Sequence, residues 1–272
     1  MALRLIQLSD IHFGFENQAA VEAAASFVRQ ATFDLLVISG DITQLGAEVE
    51  FAAAAAWLAG LPGAKLATPG NHDTPWAGLV ERVLMPWERY ERWIGPHAAG
   101  ALDTPALTAR SMNSARGWQI RLNWSKGEIA RAQARRAAAD VQAAPPGARR
   151  IVTVHHPLME FPGEPMTARV RGGRRAAERL ALAGVDLILS GHIHTPFVQA
   201  LPFGDRRTFA VGAGTLSRRE RGEPAGFNVI DIDGEALTVA AMAWSGHDFQ
   251  IGHAWEVTLR PPSARPGPGD LT

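Results

Sequence analysis

Five times along this chain a short apolar run stops abruptly at a cluster of Asp, Asn or His. Leu3–Leu8 ends in Ser9-Asp10-Ile11-His12, Leu35–Ser39 in Gly40-Asp41, and Lys65–Thr68 in Pro69-Gly70-Asn71-His72-Asp73. Later the run 150–154 ends in His155-His156-Pro157, and 185–190 ends in Gly191-His192-Ile193-His194. Between the first three lie Ala-rich stretches in which Val21, Ala24, Ala25 and Val28, then Phe51, Ala55 and Leu58, recur at helical spacing. Strand, polar turn, helix, strand is the pattern of a βαβ unit, so the strands are expected to be parallel and buried on both faces. In such sheets ligands sit outside the carboxyl ends of the strands. The polar clusters occupy that position.

After His194 the texture changes. Residues 208–211, 227–232, 236–244 and 255–259 read as strands between Gly-containing turns, with Asp233-Gly234 a hairpin signal. They predict a second, more antiparallel sheet closing against the first. The middle of the chain predicts an amphipathic segment over 79–93 broken near Pro86, a strand over 118–122, and a helix over 127–142; a further helix is expected over 173–183. One domain over 1–260 and a flexible Pro/Gly-rich tail over 261–272 complete the expected organisation. With 46% hydrophobic residues the chain can bury a sizeable core, and with no cysteine it can build neither disulfides nor thiolate metal sites. Its 27 basic and 27 acidic residues cancel, which removes a global footprint for nucleic acid or anionic membrane. No apolar run reaches the roughly 18–20 residues of a membrane helix, and the first residues lack a signal-like pattern. A cytoplasmic protein is expected.

The strand-end residues carry the chemistry. Asp10, His12, Asp41, Asn71, His155, His192 and His194 combine carboxylate, amide and imidazole donors, a set suited to Mn, Fe, Zn or Co more than to Mg or Ca. Seven such ligands exceed what one tetrahedral ion uses, so two metals sharing a carboxylate fit better. His72 is the candidate acid or charge-stabilising group, with Asp73 to orient it. Trp87, Tyr90 and Trp93 are expected to pack, while Arg169, Arg171, Arg174 and Arg175 are candidates to meet a phosphate. Arg218, Arg219 and Arg221 are expected to face solvent, and His97, His247 and His253 match no motif.

In order and spacing, Asp10-x-His12, Gly40-Asp41, Gly70-Asn71-His72-Asp73, His155 and Gly191-His192-x-His194 resemble the calcineurin-like metallophosphoesterase family. The resemblance implies a four-layer αββα sandwich, two mixed sheets flanked by helices. It also implies a dinuclear centre of two divalent or trivalent transition metal ions (Mn, Fe or Zn). Asp10, His12 and His194 would hold the first ion and Asn71, His155 and His192 the second, with Asp41 bridging. His155 is preferred over His156 because it directly follows the strand, where the family's ligand usually sits. A hydroxide between the two metals would then attack a phosphate in line. The arginine that protein serine/threonine phosphatases carry after Gly-Asp is missing, and Gln44 stands where purple acid phosphatases place a tyrosine. The aromatic and acidic run of the lipid A pathway hydrolases is also missing. The motif style is closest to bacterial phosphodiesterases of the cyclic nucleotide and glycerophosphodiester type, which implies a small-molecule phosphodiester substrate. A phosphomonoesterase, a nuclease of the same superfamily and a non-catalytic binding protein on this fold are the alternatives; zero net charge weighs against the nuclease. Oligomeric state is left open.

Overall fold

In the computed structural model, which describes residues 2–120, 123–160 and 170–261, two six-stranded sheets pack face to face. The strands are β1 (Leu3–Leu8), β2 (Leu35–Ser39), β3 (Lys65–Thr68), β4 (Ala101–Asp103), β5 (Leu107–Ser111), β6 (Arg149–Thr153), β7 (Leu187–Ser190), β8 (Phe197–Ala200), β9 (Phe209–Gly212), β10 (Gly226–Asp233), β11 (Ala236–Trp244) and β12 (Phe249–Thr258). The helices are α1 (Gln18–Gln30), α2 (Glu48–Ala59), α3 (Leu79–Leu84), α4 (Glu88–Trp93), α5 (Arg131–Gln142) and α6 (Gly173–Leu182). The first sheet runs β12-β11-β10-β1-β2-β3 and draws strands from both ends of the chain; the second runs β4-β5-β6-β7-β9-β8. β1, β2 and β3 are parallel, as are β5, β6, β7 and β9, and the remaining strands add antiparallel. Both sheets are therefore mixed, as the αββα expectation required.

Alternation along each strand sorts its side chains into layers. In β1, Leu3 and Leu5 enter the apolar layer between the sheets, beside Leu35, Val37, Leu107, Ile151, Leu187 and Val239. Ile6 and Leu8 point the other way, into a core shared with Ala24, Val28, Phe51 and Leu58 of α1 and α2. A third core joins α5 and α6 to Val152 and Ile188 of the second sheet. Helix, sheet, sheet, helix thus enclose three apolar layers. α1 begins at Asn17, whose side chain accepts from Ala20 N. Ahead of α2, the buried Glu50 carboxylate accepts from Leu45 N at 2.8 Å and Ala47 N at 3.1 Å. Between the sheets Gln7 Nε2 donates to Ser39 Oγ at 3.1 Å and to Ser190 O at 2.9 Å, tying β1 to β2 and β7 directly beneath the strand ends.

Several boundaries differ from expectation. α5 starts at Arg131 because Gly127 to Ala130 is extended and Glu128 forms a bridge with Arg171. Residues 118–120 are irregular, and the rest of that expected strand, 121–122, lies outside the described residues. β4, β5 and β8 were not anticipated: each is short, and Arg110 and Gln199 break the apolar runs that would mark them. β12 begins six residues earlier than expected, since 249–254 is an exposed edge without an apolar run. The proposed tail lies outside the described residues beyond Pro261. Among the described residues no helix is long and apolar enough to cross a membrane.

Candidate metal centre

The carboxyl ends of β1, β2, β3, β6 and β7 converge where the two sheets meet, and each sends its polar cluster to the same place. The first sheet delivers Asp10, His12, Asp41, Asn71, His72 and Asp73; the second delivers His155, His156, His192 and His194. All are buried except His72, which is half-buried. The loops turn sharply. Asp10 (φ 50°), His12 (φ 53°), Asp41 (φ 49°), His192 (φ 71°) and His194 (φ 64°) all adopt left-handed backbone conformations, which non-glycine residues rarely occupy. Asp10 N donates to Gly40 O and His12 N to Asp41 O, both at 3.0 Å, locking the first two loops together. Glycine is needed beside them. A Cβ on Gly191 would lie 1.8 Å from Ser9 Oγ, and one on Gly40 would lie 2.5 Å from His155 Nδ1.

The side-chain atoms close on one another. His194 Nε2 is 3.1 Å from Asp10 Oδ1, and His155 Nε2 is 3.1 Å from Asp41 Oδ2. His192 Nδ1 is 3.3 Å from His155 Nε2. His12 Nε2 stands 3.8 Å from Asp10 and 3.9 Å from Asp41, too far to hydrogen-bond either carboxylate. Asp10, His12 and His194 form one group whose donor atoms lie within 4.8 Å of one another, and Asp10, Asp41 and His155 form another. Neither ring nitrogen of His12 has a hydrogen-bond partner, nor does Asn71 Oδ1, although these atoms are buried. A buried imidazole that stands beside two carboxylates without hydrogen-bonding either has the donor chemistry of a cation site. The residues present therefore fit metal ions. The far nitrogens of two candidate ligands are held by backbone: His155 Nδ1 donates to Ser39 O at 2.9 Å and His194 Nδ1 to Arg219 O at 2.7 Å. Such contacts fix the tautomer that leaves Nε2 free to ligate.

Electrostatics set the charge states. Burial alone would raise the Asp10 and Asp41 carboxyls, but the surrounding histidines hold both well below the ordinary range. Burial lowers His12 and His192 to about 3, so both rings are neutral and able to coordinate. Burial also opposes a charged His155, yet Asp41 outweighs it and lifts the ring to about 9 in the protein without metal.

The geometry separates the two competing histidines. His155 faces Asp41 and His192, whereas His156 has both nitrogens engaged, Nδ1 with Ser114 Oγ at 2.8 Å and Nε2 with Ser125 O at 2.7 Å. Asp73 does not orient His72. Its carboxylate accepts from Ile42 N, Thr43 N, Thr43 Oγ1 and Gly70 N at 2.8–3.2 Å, tying the loop after β3 to the loop after β2. Burial, followed by the nearby Asp41, raises its carboxyl to about 6. His72 is oriented by other groups. Its Nδ1 meets Gln44 O at 2.6 Å and its Nε2 meets Arg219 Nη1 at 2.9 Å. A guanidinium can only donate, so Nε2 accepts and Nδ1 carries the proton.

Arg219 is the residue that sequence reading placed in solvent and the structure places at the site. The rule that found the other clusters would have found it: β9 is a sixth apolar run, and it ends in 213–219. There Thr215 Oγ1 donates to Asp10 O at 2.7 Å, and Thr215 and Ser217 hydroxyls bond each other. Among the described residues no carboxylate pairs with Arg219. Arg218 and Arg221 are exposed, as expected. The other arginines stay away: Arg171 pairs with Glu128 at 4.0 Å, Arg174 lies over Phe203, and Arg175 lines a groove between α5 and α6. Arg169 lies outside the described residues. Tyr90 and Trp93 pack against the first helix-to-sheet core.

Comparison with known proteins bears on the fold and the family. The family model for calcineurin-like phosphoesterases matches residues 3–196. A curated Synechococcus protein named a probable cyclic nucleotide phosphodiesterase is 24% identical over 265 residues, covering 91% of this chain and 94% of that one. A dimetal phosphatase from Danio rerio superposes with a TM-score of 0.67 at 10% identity, covering 95% of this chain and 99% of that one. GAP50, the anchor in the inner membrane complex of Plasmodium, superposes with a TM-score of 0.60 at 12% identity, covering 99% and 93%. At such identities the structural likenesses establish a shared fold and nothing finer. The family match is of another kind, because it takes in all five strand-end clusters, and by it this chain belongs to the calcineurin-like phosphoesterase family, hydrolases of phosphoric esters.

Proposed function

We propose that the chain is a two-metal phosphodiesterase acting on a small phosphodiester of the cyclic nucleotide or glycerophosphodiester kind. The observation that carries this reading is the set of overlapping clusters that brings Asp10, His12, Asp41, His155, His192 and His194 together, with the buried His12 ring and Asn71 Oδ1 left unpartnered among the described residues. Asp10, His12 and His194 would hold one ion, Asn71, His155 and His192 the other, and Asp41 both. When bound, the two ions supply Lewis acidity that acidifies water for attack and offsets charge on the phosphate.

The chain's own residues do the rest. Arg219, half-buried and free of any carboxylate among the described residues, donates to a non-bridging phosphate oxygen. As the guanidinium turns to that oxygen it frees His72 Nε2 to take up a proton from solvent while Nδ1–H stays on Gln44 O, and the imidazolium then gives the Nε2 proton to the leaving group. Gln44 O keeps the His72 ring in plane throughout. Asp73 keeps the loops that carry Asp41 and Asn71 in register. A single contacting guanidinium suits the one charge of a diester, and Arg171, Arg174 and Arg175 are engaged elsewhere. The Synechococcus relative, although distant, carries a phosphodiesterase name.

The test is a comparison of kcat/KM on bis(p-nitrophenyl) phosphate and p-nitrophenyl phosphate with Mn²⁺, repeated with a cyclic nucleotide and its monophosphate product. The diester is expected to lead in both pairs. A monoester lead in both would overturn the diester reading while leaving the family standing.

A further inference from the structure

Helix α3 (Leu79–Leu84) is built inside out. Its buried side chain is Arg82, whose Nε donates to Gly117 O at 2.9 Å, whose Nη1 donates to Pro75 O at 3.4 Å, and whose guanidinium lies over the Trp124 ring. Leu79, Val80, Val83 and Leu84 are instead 62%, 71%, 42% and 70% exposed. Trp76 before the helix and Met85 after it are open as well, as are Trp118 and Ile120 beyond Gly117. A helix on a protein surface ordinarily turns its apolar stripe inward. Here the stripe is turned outward, and a charged residue takes its place.

The exposed area is large. From the usual surface of large apolar side chains these residues leave on the order of 900 Å² open. The largest apolar patch on a typical monomer is about 300–600 Å², whereas each partner of a stable interface contributes about 800 Å². Charge narrows the occupant. Between 76 and 85 no charge is free among the described residues, because Glu81 is held by Arg89 and Arg82 faces inward. The neighbouring α4 offers Glu88 and Glu91, while its Arg92 is bound to Glu48. A helix that lies on a lipid surface carries a basic rim, whereas among the described residues here Arg82, Arg89 and Arg92 are all engaged within the protein. Over 76–85 the apolar face carries no free charge among the described residues, so it can meet a copy of itself across a two-fold axis with the acidic residues of α4 at the rim.

We infer that α3 and its flanks form the interface of a homodimer. The inference stands apart from the phosphodiesterase reading. It has a consequence for the site all the same: Trp76 N donates to Leu45 O at 2.9 Å, and Thr74 Oγ1 donates to Asn71 O at 2.9 Å, so the segment covered by the partner leads straight back to Asn71 and His72.

Sedimentation velocity on the full chain, loaded with Mn²⁺ and spanning about 1–100 µM, tests it, since that range brackets a micromolar dissociation constant. The wild type is expected to be a dimer at the upper end. The double variant Val80→Glu/Leu84→Glu is expected to be a monomer with unchanged circular dichroism and metal content. A wild type that stays monomeric throughout, a double variant that still dimerises, or recovery of monomeric wild type on phosphatidylcholine vesicles would each overturn the inference. Should the double variant fail to fold, Leu84→Cys introduces a single thiol into a chain that has none. A nitroxide on it should then report one inter-protomer distance under about 30 Å, given that packed helices lie about 8–10 Å apart; an absence of dipolar signal overturns the inference equally.

Discussion

Arg219→Ala is the perturbation that most directly probes the assembled site. Among the described residues the guanidinium has one partner, His72 Nε2 at 2.9 Å, and the Arg219 carbonyl, which holds His194 Nδ1, belongs to the backbone and survives the substitution. The cost to the fold should therefore be that of an ordinary surface change, within about 0.5 kcal/mol, and the metal ligands should keep their places. Catalysis is another matter. A hydrogen bond from a charged donor to phosphate contributes roughly 1.5–3 kcal/mol, and half-burial points to the lower part of that range. At about 1.4 kcal/mol per decade, a loss of about 1.5–2.5 kcal/mol lowers kcat/KM by roughly 10- to 70-fold. Arg219→Lys should recover part of it, because lysine restores the charge without the planar fork. The assay is steady-state hydrolysis of bis(p-nitrophenyl) phosphate with Mn²⁺, with metal content and melting temperature measured on the same samples. An alanine variant within threefold of wild type would refute the role given to Arg219. One that lost metal would show that the loop is structural first.

Four further substitutions separate the remaining roles. Asp41→Asn should lower metal occupancy to below one ion per chain by elemental analysis, whereas His194→Ala should leave close to one; equal losses would argue against a shared carboxylate at Asp41. His72→Ala should keep its metals yet turn over about 10²–10⁴-fold more slowly, the range of a lost general acid; loss of metal would instead make His72 a ligand, as its place beside His12 and Asp41 allows. Gly191→Ala puts a methyl 2.3 Å from Asp10 Oδ2 as well as against Ser9. It should destabilise the protein by about 1–3 kcal/mol and weaken metal binding in a titration, and a variant with wild-type melting and affinity would show the loop to be more yielding than its packing suggests.

The parts of this molecule that sequence alone disclosed are those with a local chemical cause. β1, β2 and β3 were legible to the residue because each is a short, largely buried run that stops at a polar cluster. The polar clusters proposed as metal ligands were legible as clusters because each interrupts such a run. β5 was not, because its LTARS sequence pairs with β6 through backbone and carries Arg110 outward. The start of α5 was missed because the bridge between Glu128 and Arg171 is a pairing across 43 residues that no local pattern marks. Asp73 and Arg219 show the same boundary at the site. Proximity in sequence suggested that Asp73 serves its neighbour His72, but the fold hands that task to the Gln44 carbonyl and to an arginine 147 residues away.

The left-handed turns at the strand ends bear on how freely this scaffold could be redesigned. Asp10, His12, Asp41, His192 and His194 each hold a conformation that costs a non-glycine residue about 1–2 kcal/mol. Together they withhold roughly 5–10 kcal/mol from folding, which rivals the entire net stability of an ordinary domain. The three apolar layers must carry that deficit before any substrate arrives. A selection for thermal resistance alone would therefore find its largest single gains here, by replacing these residues with glycine or asparagine, and would discard the proposed metal centre one turn at a time. Campaigns to stabilise this protein should hold these five positions fixed and seek their gains in the cores, where Phe51, Phe197 and Phe227 already show how much volume the fold can bury.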